Sequence, residues 1–387
     1  MNRYLAPHVD NMPPSGIRKF FDLVATMKDV ISLGVGEPDF VTPWTVRESG
    51  IFSLEQGQTM YTSNAGLFEL RDELAHHLSV TLGLSYAPLD EILITAGASE
   101  AVDLVMRAVL SPGDVVLVPN PSYVSYGPCA TLAGATVHYI PTYNKNDFRL
   151  RVEDLAQAYT PKAKLLVLSF PNNPTGAIMT REDLLPIADF VAKHDLLVLA
   201  DDIYSDLTYG GTHVSFASLP GMRDRTLFVS GFSKSYAMTG WRIGYVAGHK
   251  DLIGGLTKIH QYTMLCAPIM GQFAALEALR SASEARDEMV QAYDRRRRLM
   301  VHGFRQMGLE CFEPLGAFYV FPDISKTNLT SEEFAEALLN EEKVAVVPGT
   351  AFGPSGEGHI RCSYAYSTEQ LQEALKRIAR FVQPRIS

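Results

Sequence analysis

Tryptophan and cysteine are scarce in this chain of 387 residues, with two and four copies. The cysteines, Cys129, Cys266, Cys311 and Cys362, show no close pairing and no metal-ligand spacing, which suits a reducing cytoplasm. The histidines are scattered, so no metal site is expected. A cationic surplus is lacking too: 34 Lys and Arg against 43 Asp and Glu leave a net charge of -9, which sets nucleic acid aside as a main partner. No apolar run approaches the roughly 20 residues that span a bilayer, and residues 1–8 hold no hydrophobic stretch of signal-peptide length. A soluble protein is expected. Internal repeats and low-complexity tracts are absent as well.

What is present is an alternation. Short apolar runs at 91–96, 115–119, 135–140, 164–169, 196–201, 226–230 and 244–248 are separated by helical patterns. This predicts an α/β fold with a mostly parallel, seven-stranded sheet between helices. After about residue 280 the pattern changes to a long helix, a strand pair around Ala317–Phe321, and a last helix marked by Leu371, Leu375, Ile378 and Val382. The division expected is a large domain over 48–280, a smaller α+β C-terminal domain over 281–387, and an N-terminal segment, 1–47, packing with the latter. In that segment Ile17, Phe20, Phe21 and Val24 form an apolar stripe at helical spacing. The one cationic run, Arg295–Arg298, reads as a solvated helix face or a dimer contact.

Lys234 is the candidate centre of the chemistry. It follows an apolar strand in a stretch running from Val229 to Tyr245, with Arg242 eight residues on. A lysine amine becomes a nucleophile near neutral pH when its pKa is lowered or when it is held as an imine with a carbonyl cofactor. A guanidinium nearby suits a phosphate on the same cofactor, and the aldehyde phosphate that fits is pyridoxal 5'-phosphate. Four further segments fit such a group. Asn173 lies in the turn Ser169–Gly176 at a strand end, where its amide can bond a phenolic oxygen. Asp201 ends an apolar strand, with Tyr204 three residues later; a carboxylate there keeps a pyridine nitrogen protonated. Ala98 and Ser99 open a helix after a glycine turn, a natural phosphate seat, although Ser99 taken alone reads first as a helix cap. Arg361 sits in an alternating stretch and can clamp a substrate carboxylate.

Taken together, Gly36–Phe40, Asn173–Gly176, Asp201 with Tyr204, Ser233–Lys234, Gly240–Gly244 and Arg361 resemble the class I and II aminotransferases of PLP fold type I, from about Ser15 to Val382. The similarity is greatest to the aromatic and aspartate aminotransferases of archaea and bacteria. The resemblance implies that Lys234 forms the imine with the cofactor, that Asp201 pairs with the pyridinium, and that Tyr204 and Asn173 bond the phenolic oxygen. It assigns Tyr123 to stacking on the ring and Ala98, Ser99, Ser233 and Arg242 to the phosphate. Gly36, Asn173 and Arg361 would receive the substrate carboxylate, and Ile17 would border the substrate entrance. It further implies a homodimer in which Tyr61 reaches the neighbouring subunit's phosphate. One departure stands out: Gly231 occupies a position where many relatives have a phosphate-binding serine, with Ser230 and Ser233 nearby.

Substrate choice is less legible. No second cation for a distal carboxylate is evident, and Ile17, Tyr123, Tyr61 and Tyr262 would line an aromatic pocket, so an aromatic amino donor with 2-oxoglutarate is the reading, and aspartate the alternative. A PLP-dependent lyase on the same fold is a further alternative, because pocket geometry decides which bond breaks.

Overall fold

The computed structural model describes residues 4–14, 16, 27 and 29–386. Strand β1 (Ile31–Ser32) precedes the main sheet, which is built from β2 (Ile92–Thr95), β3 (Val115–Asn120), β4 (Thr136–Pro141), β5 (Ala163–Leu168), β6 (Leu197–Asp201), β7 (Thr226–Gly231) and β8 (Gly244–Ala247). Each of the seven apolar runs thus becomes a strand of one sheet, in the order β2-β8-β7-β6-β5-β3-β4. The pairs from β4 across to β7 are parallel, and only β8 runs against its neighbours. β2, β3 and β7 are buried along their whole length, as strands covered on both faces must be. Residues 232–243, which join β7 to β8, hold a short 3-10 turn in place of a crossover helix, so the chain returns antiparallel. That return loop carries Lys234 and Arg242.

A separate apolar core gathers Met289, Phe304, Phe318, Phe334, Leu371 and Phe381, all buried. It is enclosed by the helices Ser283–Gln306, Ser331–Glu342 and Thr368–Val382, and by the strands β9 (Tyr319–Val320), β10 (Val344–Ala345), β11 (Val347–Pro348) and β12 (Ile360–Ser363). The last two helices each begin with a reciprocal capping box, from Thr330 and Ser367, which satisfies N–H groups that the helix cannot. The strand expected around 317–321 is β9, and it joins β12 and β11 in a three-stranded antiparallel sheet. β1 pairs in parallel with β10, which ties residues 31–33 to this core. Ile17, Phe20, Phe21 and Val24 lie outside the described residues.

The arginine run departs from the expectation. Arg295 and Arg298 are exposed, but Arg297 is buried in the stripe formed with Met289, Tyr293, Met300 and Phe304. It bonds Asp294 at 2.8 Å and Glu313 at 2.8 Å, while Arg296 reaches Asp39 at 2.8 Å. Helical periodicity turns two of the four guanidinia inward, where buried charge requires a partner. Among the described residues no helix is long and apolar enough to cross a membrane.

Candidate active site

The C-terminal ends of β2, β5, β6 and β7 all open on one edge of the sheet, where open α/β sheets present their loops to ligands. There a cavity of about 710 Å³ lies between these ends and the strands β9 and β12. Its wall contains Gly36, Ala98, Ser99, Tyr123, Asn173, Asp201, Tyr204, Ser233, Lys234, Arg242 and Arg361. Residues scattered over more than 300 positions of sequence are therefore brought together as expected. Tyr61 and Tyr262 are not among them; their side chains are 81% and 87% exposed, away from the cavity. Within one chain the two do not line this cavity: Tyr61 projects from a loop and Tyr262 from the outer face of the helix Lys250–Thr263. Ile17 lies outside the described residues.

At the end of β6, buried Asp201 accepts a hydrogen bond from the Tyr126 hydroxyl at 2.6 Å and from the Ile203 N–H at 3.3 Å. Burial pushes its pKa up to about 6, although both hydrogen bonds oppose the rise. A cation placed against it would restore the carboxylate. Lys234 donates from Nζ to the Gly36 carbonyl at 2.6 Å. Burial, helped by the guanidinia of Arg361 and Arg242, lowers its pKa to about 8 against the pull of Glu37. A neutral amine is thus accessible near pH 8, as a nucleophile or proton carrier requires.

On the opposite wall Arg361 is buried. One terminal N–H donates to the Asn173 side-chain carbonyl at 2.9 Å, another donates to the Gly34 carbonyl, and the guanidinium lies 4.5 Å over the Tyr319 ring and 4.8 Å over Phe352. Among the described residues its Nε is buried without a partner, a donor that an anion could satisfy. With the Asn173 carbonyl engaged, the amide N–H groups of that residue remain to donate elsewhere. The Tyr204 hydroxyl is 2.8 Å from that of Tyr319. Arg242 bonds only the carbonyls of Thr239 at 3.0 Å and Ala96 at 3.3 Å, so among the described residues no carboxylate offsets its charge beside the helix start at Ala98. A phosphate suits that place.

Packing separates the two serines near Gly231. Ser233 faces the cavity, whereas the Ser230 hydroxyl donates to the Asp202 carbonyl at 3.3 Å and lies outside the cavity wall. A side chain at Gly231 would begin 2.9 Å from the Gly244 Cα and 3.0 Å from the Ile243 carbonyl oxygen, so the close approach of β7 and β8 leaves no room for a serine. Lining residues that the sequence reading did not assign to the site include Glu37, Tyr126 and Tyr319. Tyr126 lies three residues beyond Tyr123 and was within reach of inspection; Tyr319 sits in an apolar strand and carried no signal.

With this geometry in view, the chain was compared with known proteins. Residues 28–378 match the family model for aminotransferase class I and II. An aspartate aminotransferase of Pyrococcus abyssi is 46% identical, over 97% of each chain. Aromatic-amino-acid aminotransferase 2 of Thermococcus litoralis is 42% identical, again over 97% of each. Among solved structures, an aromatic aminotransferase from Pyrococcus horikoshii superposes with a TM-score of 0.91 at 44% identity, covering 95% of this chain and 99% of that one.

Proposed function

This chain belongs to the class I and II aminotransferases, which are pyridoxal-phosphate enzymes, and from that premise we propose that it moves the amino group of an L-amino acid to 2-oxoglutarate in a ping-pong cycle run by Lys234. The observation that carries this reading is the half-buried Lys234, with an amine pKa of about 8, set in one cavity with Asp201 and Arg361. When bound, the cofactor supplies an electron sink for the bond cleaved at the amino acid's α-carbon. The chain's own residues do the rest. Asp201 would pair with the pyridinium, a cation that returns the carboxylate from its raised pKa to the charged state. Tyr204 and Asn173 would donate to the phenolic oxygen, and Tyr123 would lie against the ring. Ala98, Ser99, Ser233 and Arg242 would hold the phosphate.

Arg361, with Gly36 and Asn173, would take the substrate carboxylate and turn the α-carbon toward the Lys234 amine. Lys234 would then carry the proton, general acid-base work that contributes about 10² to 10⁴ in rate for a positioned group. Arg361 belongs to the 281–387 unit and Lys234 to 48–280, so closure of one unit on the other would join carboxylate binding to proton transfer. Exposed Tyr61, with Met60 and Phe52 near it in sequence, suits a homodimer in which Tyr61 completes the partner's phosphate site.

For the donor we favour an aromatic amino acid. The cavity's cations are Lys234, Arg242 and Arg361, each with a role above, while Glu37 and the phenols of Tyr123, Tyr126 and Tyr319 make up much of what remains. Among the described residues a distal carboxylate finds no fourth cation on this wall. The second reading, aspartate, is favoured by the Pyrococcus abyssi relative. A panel of amino donors with 2-oxoglutarate separates them. Phenylalanine and tyrosine outpacing aspartate in kcat/KM supports the first, and the reverse order rejects it. With donor alone, one equivalent of keto acid per site marks transamination, whereas continuous product marks a lyase.

A further inference from the structure

Tyr319 stands where three site groups converge. Its hydroxyl is 2.8 Å from that of Tyr204, its ring lies 4.5 Å beneath the Arg361 guanidinium, and a Cβ on Gly36 would come within 2.6 Å of its oxygen. Gly36 in turn accepts the hydrogen bond from Lys234. The position is set by pairing: Tyr319 on β9 lies opposite Ser363 on β12, the strand that carries Arg361, while Tyr204 comes from the loop after β6. One phenol thus links the strand pair that bears the carboxylate clamp to the sheet edge that bears the lysine.

The hydroxyl has a more specific use than filling space. Tyr319 is buried, a phenylalanine would fill nearly the same volume, and among the described residues the one hydrogen bond its oxygen makes is to Tyr204. A bond between two hydroxyls can run either way, and the function of Tyr204 selects the direction. If Tyr204 gives its proton to the cofactor's phenolic oxygen, its own oxygen can only accept, so Tyr319 must donate. The electrostatics agree. Burial raises both phenols, but for Tyr319 the first opposing influence is the Arg361 cation, whereas Tyr204 is raised further by Tyr319 itself. The Arg361 guanidinium, 4.5 Å over the Tyr319 ring, favours Tyr319 as the donor.

We propose that Tyr319 is a positioning residue, the outer member of a donor relay in which its hydroxyl bonds the Tyr204 oxygen and thereby strengthens Tyr204 as donor to the cofactor's phenolic oxygen. Chained hydrogen bonds polarise one another, so removing the outer one weakens the inner. A weaker donor stabilises the phenolate less and leaves the neighbouring protonated nitrogen harder to deprotonate. The inference rests on the pyridoxal-phosphate reading above.

The test is a spectrophotometric pH titration of the holoenzyme and of the variants Tyr319→Phe, Tyr204→Phe and the double variant. In the parent the bound cofactor's visible band titrates with pH. In Tyr319→Phe its midpoint is expected to rise by about half a pH unit. The ring stays under Arg361, so KM for the amino acid should stay within about twofold, on the order of the few tenths of a kcal/mol expected where a contact is kept. In the Tyr204→Phe background the second change should add nothing, because the relay has lost its inner member. An unshifted midpoint in Tyr319→Phe, or an equal shift in both backgrounds, overturns the relay while leaving the cofactor reading intact. A parent enzyme with no titrating band overturns both. If Tyr319→Phe does not fold, 3-fluorotyrosine at 319, a more acidic donor, is expected to lower the midpoint, and a null or upward shift overturns the relay.

Discussion

Asp201 and Lys234 stand at the ends of the large sheet, while Arg361 and Tyr319 stand across the same cavity on the short strands β12 and β9. On the sheet side the charges are made labile. Burial moves the Asp201 carboxyl up to about 6 and the Lys234 amine down to about 8, both toward neutrality. On the other side the charge is made permanent: a guanidinium does not titrate, and Arg361 is fixed by the Asn173 and Gly34 oxygens and two aromatic faces. Proton transfer needs groups whose charge can change, whereas carboxylate capture needs one whose charge cannot. Under the proposed function the two walls would divide these tasks, and each can be broken separately.

The largest effect is expected on the labile side. Lys234→Ala should remove at least about 10² in turnover and abolish borohydride trapping of cofactor on the chain. An unchanged rate would falsify the mechanism. In the parent protein, cofactor loading should quicken as pH rises and level off above about 8, as the Lys234 amine loses its proton.

The permanent side is tested by Arg361→Ala, for which KM of amino and keto acids should rise roughly 10- to 100-fold, as loss of charge-assisted hydrogen bonds worth about 1.5 to 3 kcal/mol implies. Bound cofactor should still titrate. A fall in kcat with KM unmoved would show that the guanidinium acts on the chemistry and not on capture.

Asp201→Asn sharpens the contrast because its effect on stability should run opposite to its effect on cofactor binding. The folded-state pKa of about 6 lies above the ordinary value of 3.8, so the cofactor-free fold binds the proton more tightly than the unfolded chain. The stability this contributes is complete below about pH 3.8 and is lost as pH rises through about 6. At pH 7 the buried charge is a cost. The cofactor-free variant should therefore unfold later than the parent at pH 7, by up to roughly 2 to 3 kcal/mol, with the gain gone near pH 4. The same variant should bind cofactor more weakly. Denaturant melts at the two pH values, beside cofactor titrations, decide the matter.

The smallest effect separates neighbouring serines. Ser233→Ala should weaken cofactor binding by about 1 kcal/mol, and Ser230→Ala by less than about 0.5, since only Ser233 lines the cavity. Equal losses in equilibrium dialysis would sink that assignment.

Much of this was legible along the chain. Lys234, Asp201 and Asn173 each follow an apolar run that reads as a strand, so their places at one sheet edge followed from local pattern and the geometry of parallel sheets. Arg361 was legible for a different reason, as a lone cation among apolar neighbours. Tyr126 and Tyr319 were not assigned roles, because what singles them out is a partner far away in sequence. Tyr126 bonds Asp201 across 75 positions, and Tyr319 meets Tyr204 across 115. Tyr61 and Tyr262 differ from these: both are exposed in the single chain, Tyr61 from a loop and Tyr262 from the helix Lys250–Thr263.

Residue identity and periodicity alone determined the seven strands, the later change of pattern, and the lysine, carboxylate and guanidinium proposed for the chemistry, since these are properties of short stretches of chain. Tertiary structure decided which serine faces the cavity, which arginines turn inward, which phenols meet, and how far each buried acid and amine departs from its pKa in water. Those outcomes follow from desolvation and close approach, and both are created only when distant segments pack.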